Sequence, residues 1–160
     1  MSDGCAAGVR EDLSGPAVAE ALRAAGFAVA ATVIVPDERD AIVAALQAQA
    51  AVVDLVVTTG GTGVAARDVT PEATRLVCER LVEGLGERMR AEGLKETPLA
   101  ALSRGVCGSA GRSLIVNLPG SPRGAVTSLN AVIGIVPHAL DLLAGRTEHA
   151  DPKSKVERPS

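Results

Sequence analysis

The densest group of chemistry-bearing residues is TTGGTGVAARDVTPE at 58–72, which joins three glycines to an Arg-Asp pair and a helix start. Gly60, Gly61 and Gly63 permit positive φ or close backbone approach, so successive N–H groups there could cradle a phosphate or a ribose-linked group. The spacing is neither GxGxxG nor GxxxxGK[ST], and the phosphate-loop lysine is absent. Asp68 offers a carboxylate that can hold Mg²⁺ against phosphate oxygens, and its structural alternative is an Asx turn or an ion pair with Arg67.

Two further acidic or polar entries have the same double reading. Asp37 follows Pro36 at a helix start, where it either caps or, across adjacent strand ends, pairs with Asp68 for metal-assisted phosphoryl or nucleotidyl transfer. In GVREDLSGP at 8–16, Asp12 and Ser14 precede a helix and serve either a ligand or the cap. NLPGSPRGA at 117–125 places a tight turn directly before a helix, where free N–H groups and the positive dipole end favour an anion. Ser121 can donate to a phosphate or cap that helix, and Pro122 suits its first turn in both cases.

Other reactive side chains point nowhere. His138 sits in an apolar helical pattern and His149 near the end, with no metal spacing and no Ser-His-Asp arrangement, so neither is assigned a catalytic role. Cys5, Cys78 and Cys107 are scattered and lack CxxC spacing, which implies neither a disulfide framework nor a thiolate metal site. A net charge of -3 without a basic face argues against nucleic acid, and Phe27 as the only aromatic residue leaves no stacking platform. The apolar runs are too broken for a membrane span or a secretory leader, so the chain reads as soluble and cytoplasmic.

These loops need a scaffold, and the chain supplies alternating elements. Ser14-Gly15-Pro16 starts a helix stopped by Gly26, and AVAATVIV at 28–35 reads as a strand. DERDAIVAALQAQA is a helix, DLVVTT at 54–59 a strand, and Thr70-Pro71 opens the next helix. A short helix is expected at Thr97-Pro98, a buried strand at SLIVNL (113–118), and a helix after Ser121 that Pro137 either kinks or replaces by a new one ending near Gly145. Strands separated by helices predict a three-layer α/β/α domain with a mostly parallel central sheet, because parallel crossovers need intervening helices. Ligands of such sheets bind beyond the carboxyl ends of the strands, the address of all three loops. One domain over 1–145 is expected, with a flexible polar tail at 146–160.

The ordered combination of VREDLSG, TTGGTG, RDVTPE, SRG at 103–105 and NLPGSP at 117–122 resembles the MogA/MoaB family over about residues 2–145. That resemblance implies adenylyl transfer from ATP to molybdopterin, with Mg²⁺ and release of pyrophosphate, by a homotrimer or occasionally a hexamer that passes its product to a molybdenum insertase. It implies a nucleotide loop on Gly60, Gly61, Thr62 and Gly63, and acidic catalytic and metal positions on Asp68 and Asp37. It places the molybdopterin phosphate near Asn117, Pro119, Gly120, Ser121 and Pro122, with Asp12, Ser14 and Gly15 beside the pocket. A pterin-binding relative without efficient transfer, or a generic nucleotide-binding domain, is the alternative.

The amino end departs from that pattern. Family members usually have a hydrophobic strand before the Ser-Asp pair, whereas here only Met1 precedes Ser2. The first family strand is therefore expected to be missing from beside 28–35 and 54–59, and the natural chain to start upstream of Met1. Direct pairing of those two strands is the alternative.

Overall fold

Helix α1 (Ser14–Ala24) buries Val18 and Ala19 and ends where Gly26 turns to φ +89, with the Phe27 N–H donating to the Leu22 carbonyl at 3.0 Å. The structure, a computed structural model, describes residues 11–146. Cys5, His149, the expected tail from 147 onward and the amino-terminal segment through residue 10 lie outside the described residues.

Helix α2 (Arg39–Ala50) buries Ile42 and Leu46, one turn apart on its inner stripe. Strand β1 (Leu55–Thr59) leads through the glycine loop to α3 (Thr70–Val77), with Pro71 in the first turn, where its missing N–H costs nothing. A two-residue strand β2 (Arg80–Leu81), helix α4 (Glu83–Leu94) and a 3₁₀ turn (Pro98–Leu102) follow. Strands β3 (Cys107–Ala110) and β4 (Ser113–Leu118) then lead to α5 (Pro122–Val132) and α6 (Val136–Leu143). Pro137 lies in the first turn of a separate helix, and α5 and α6 meet at 63°, so the chain takes the new-helix option rather than the kink. No single helix among the described residues is long and apolar enough to cross a membrane.

The sheet corrects the expectation of mostly parallel strands. Its order is β1-β4-β3-β2, and only β1 and β4 run parallel, in register from Leu55↔Leu114 to Thr59↔Leu118. The β4-β3 and β3-β2 pairings are antiparallel. The cause is local: Ala110 pairs with Ser113, so Gly111-Arg112 forms a two-residue hairpin loop with Gly111 at φ +57, which reverses the chain without a crossover helix.

The second correction is the segment 28–35, which forms no ladder with any strand among the described residues. It does not pair directly with β1 either. A cleft of about 890 Å³ is lined by both 27–35 and 52–61, and Val33 and Ile34 remain 56% and 52% exposed. An apolar run becomes a strand only when a neighbouring backbone meets its N–H and C=O groups.

Three layers nevertheless form. One face of the sheet packs Leu114, Val116 and Leu118 against Val18 of α1, Leu85 and Met89 of α4, and Leu129, Val132 and Val136 of α5 and α6. The other face packs Val56 and Ile115 against Ile42 and Leu46 of α2 and Ala73 of α3. Strand β4 is buried along its whole length, as expected of a strand covered on both faces.

Candidate functional site

Parallel pairing delivers the carboxyl ends of β1 and β4 to the same edge, and the Gly60 N–H donates to the Leu118 carbonyl at 3.1 Å. The two turns leaving those strands are thereby pressed together. A Cβ on Gly120 would lie 3.3 Å from the Gly60 Cα, so the two turns approach closely, backbone to backbone. Gly60 and Gly61 stand at φ +86 and +62, the left-handed region in which a Cβ is penalised.

The start of α1 docks onto the same turns. The Ser14 hydroxyl donates to the Gly120 carbonyl at 2.6 Å, and Asp12 Oδ1 accepts the N–H groups of Ser14 and Gly15 at 3.1 and 2.9 Å. Asp12 thus meets orphan donors at the helix entrance, and Ser14 ties that entrance to the turn after β4. Asp12, Ser14, Gly15, Gly60, Gly61, Gly120, Ser121 and Pro122 all line the 890 Å³ cleft. Thr62, Gly63, Asp37 and Asp68 are not on its wall.

The acidic residues lie along the glycine loop. Asp37 Oδ1 is 3.3 Å from where a Cβ of Gly61 would stand, and Asp68 Oδ2 is 2.7 Å from the same point on Gly63. Asp68 Oδ2 accepts the Ala65 N–H at 2.8 Å while the Asp68 N–H donates to the Ala65 carbonyl at 2.9 Å. That closes the 65–68 turn and engages one carboxylate oxygen.

Ser121 is the N-cap of α5, its hydroxyl accepting the Gly124 N–H at 3.2 Å. The Ser121→Ala variant is expected to lose about 1 kcal/mol of stability, read as a lower urea midpoint with unchanged slope. A parent-like midpoint would show that the cap carries no energy. The hydroxyl proton remains able to donate outward, so capping and anion binding are compatible.

Asn117 does something the sequence did not suggest. It is buried at 1% exposure, and its amide nitrogen donates to the hydroxyls of Thr58 at 3.1 Å and Thr74 at 3.0 Å, while its Oδ1 accepts the Val106 N–H at 3.3 Å. It pins β1, α3 and the residue before β3 to β4, and so supports the loops from beneath.

Three residues of the loop framework do not read from sequence as part of the site, Thr70 reading only as a helix start. Thr70 is fully buried, its N–H donates to the Gly61 carbonyl at 3.1 Å, and its hydroxyl, without a hydrogen-bond partner among the described residues, faces the position of a Gly61 Cβ. Arg104 and Glu72 form an ion pair beside the loop. Partial burial alone would raise the Glu72 carboxyl, but the Arg104 hydrogen bond, a backbone hydrogen bond and the charges of Arg104 and Arg75 together hold it below the usual range. Only the RDVTPE and SRG patterns carried a signal for these three.

The two cysteines among the described residues are held as thiols near neutral pH. Burial pushes Cys107 up to about 12 and Cys78, beside the charge of Glu79, up to about 11. His138 is exposed on α6.

With this geometry in place, comparison with known proteins is informative. The family described as "Probable molybdopterin binding domain" matches residues 1–138. The chain is 44% identical over 160 residues to the molybdopterin adenylyltransferase of Helicobacter pylori strain J99, covering 96% of this chain and 89% of that protein. The crystal structure of the molybdopterin biosynthesis enzyme MoaB from Thermus thermophilus superposes with a TM-score of 0.85 at 52% identity, over 90% of this chain and 92% of that one. The molybdopterin biosynthesis Mog protein from Mycobacterium ulcerans gives 0.84 at 43% identity, over 91% and 93%.

Proposed function

The chain belongs to the molybdopterin-binding MogA/MoaB family, and from that premise we propose that it transfers the adenylyl group of ATP to the phosphate of molybdopterin. The observation that carries this reading is the contact of two tight backbone turns, Gly60-Gly61 and Gly120-Ser121, at the ends of parallel neighbours, with Asp37 and Asp68 beside one of them. Two phosphate-bearing substrates need two adjoining anion sites, and backbone N–H groups provide them without lysine.

The first turn of α5, capped by Ser121, would receive the molybdopterin phosphate, favoured by its N–H groups and the helix dipole. The turn at Gly60, Gly61, Thr62 and Gly63 would receive the nucleotide phosphates. An oxygen of the molybdopterin phosphate attacks the α-phosphorus of ATP as the bond to the β-phosphate oxygen breaks, and pyrophosphate leaves. No general base is required, because a phosphate monoester is already ionised near neutral pH. The protein's part is to bring two mutually repelling anions together and hold them in line.

Mg²⁺ fits the donors present. Asp37 and Asp68 supply two hard carboxylates beside the glycine loop, Thr70 adds a buried hydroxyl, and no group of three or more His, Cys, Asp or Glu ligands gathers among the described residues. Such a sparse set suits an ion that retains waters and substrate phosphate oxygens in its shell. When bound, Mg²⁺ would offset charge on the phosphoryl oxygens and on the departing pyrophosphate.

We further place the protein in the cytoplasm as a homotrimer, able to form a hexamer, that hands its product to a molybdenum insertase. Incubation of the purified chain with ATP, molybdopterin and Mg²⁺ should yield adenylylated molybdopterin and pyrophosphate in equal amounts. Binding of molybdopterin without product would identify a non-catalytic pterin-binding relative instead.

A further inference from the structure

The loop bearing Asp68 is held by one side chain from a distant part of the chain. The Arg104 backbone N–H donates to the Thr62 carbonyl at 2.8 Å, and its Nε donates to the Gly63 carbonyl at 2.5 Å. Its Nη2 donates to the carbonyl of Asp68, and its Nη1 to the carboxylate of Glu72 on α3. One residue therefore fixes the entry of the loop, its exit and the helix that follows.

We propose that Arg104 is the positioning residue of this site: its guanidinium spans Gly63 to Asp68 and holds the Asp68 carboxylate in the place where it acts. The proposal rests on the adenylyl-transfer reading for what Asp68 does, but not for how it is held.

The bond types favour this role over general stabilisation. The acceptors are two main-chain carbonyls and one carboxylate, arranged around a planar fork whose N–H directions are fixed. Lysine would keep the charge but has no planar fork to reach all three acceptors in those directions. The side chain is 37% exposed and its Glu72 partner 48%, so the ion pair itself is screened and adds little to overall stability. Between Gly63 and Asp68 the chain closes the 65–68 turn on itself, a turn that does not include Gly63. Without the fork, the base of the loop is still closed by the Thr70 N–H on the Gly61 carbonyl, but Gly63 and Asp68 lose the side chain that links them directly.

The test uses Arg104→Lys and Arg104→Gln in the full chain, with two readouts. Amide hydrogen exchange at 63–68 should quicken about tenfold or more in both variants, while amides of β4 keep their parent rates. In the transfer assay at saturating ATP and molybdopterin, kcat should fall by about 10–100-fold, with little change in KM for molybdopterin, whose turn Arg104 does not touch. Uniformly faster exchange across the sheet would reduce Arg104 to a general stabiliser, and parent-like exchange at 63–68 would overturn the clamp. Local quickening with an unaltered kcat would also overturn the proposal, since Asp68 would then act without being held. Should the parent fail to transfer adenylate, the exchange readout still decides the clamp, and only the activity reading falls.

Discussion

The Asp68→Asn protein is expected to fold like its parent and to lose adenylyl transfer by at least about 10²-fold in kcat, the scale on which removal of one oriented electrostatic partner acts. Asparagine conserves size, and its carbonyl oxygen can still accept the Ala65 N–H that Asp68 Oδ2 accepts at 2.8 Å, so the 65–68 turn survives. What disappears is one full negative charge beside the glycine loop. If Asp37 and Asp68 hold Mg²⁺ as proposed, the ion would lose one of its two protein carboxylates, and raising Mg²⁺ should not restore the rate. Thermal unfolding within a few degrees of the parent, with turnover measured at saturating Mg²⁺ and both substrates, makes the comparison clean. Turnover equal to the parent's would remove Asp68 from the mechanism and leave it as a turn-closing residue.

Sequence patterns located most of the scaffold because they record local chemistry. SLIVNL forms a strand over 113–118 because it is apolar and covered on both faces, and Ser121-Pro122 opens a helix where cap and proline coincide, whereas Pro71 lies in the first turn of a helix whose N-cap is Val69 and not the expected Thr70. Gly60 and Gly61 adopt the positive φ that made them notable. Strand direction is a different kind of information. CGSA at 107–110 has no long apolar run and becomes a strand only because the Gly111 turn folds it back on β4, so the antiparallel half of the sheet left almost no periodic trace. The run at 28–35 errs the opposite way, its pattern favouring a strand while no backbone in the described chain pairs with it.

The site was legible to the same extent. Its loops follow from glycine, proline and acid at strand ends, but side-chain direction does not. Alternation along β4 sends Leu114, Val116 and Leu118 to one face, and Asn117 to the other, where Thr74 of α3 receives its amide. A residue read as part of a turn is in fact a buried tie. Arg104 is 36 residues from Asp68 in sequence, and nothing in its own neighbourhood specifies that its fork closes on that loop.

The Gly61→Ala protein should show the largest loss of stability, about 2–5 kcal/mol, because two separate costs add. At φ +62 any Cβ is strained by about 1–2 kcal/mol. That Cβ also runs into the Thr70 hydroxyl and crowds the Thr70 Cβ and Asp37 Oδ1, each at 3.3 Å. Thr70 is fully buried in the first turn of α3 and its N–H is tied to the Gly61 carbonyl, so neither residue can withdraw without breaking the 3.1 Å bond between them. Overpacking of this kind costs about 1–3 kcal/mol beyond backbone strain. The two costs separate in a double-mutant cycle, since Thr70→Ala removes the clashing hydroxyl but leaves φ unchanged. Urea unfolding should therefore show that Gly61→Ala is less damaging in the Thr70→Ala background, with a residual penalty close to the strain alone. Additive losses would mean that Thr70 yields without cost, and a Gly61→Ala midpoint equal to the parent's would mean that the loop relaxes to negative φ. In the latter case adenylyl transfer should still fall, because the loop N–H groups would turn away from the side on which the proposed function places the phosphates.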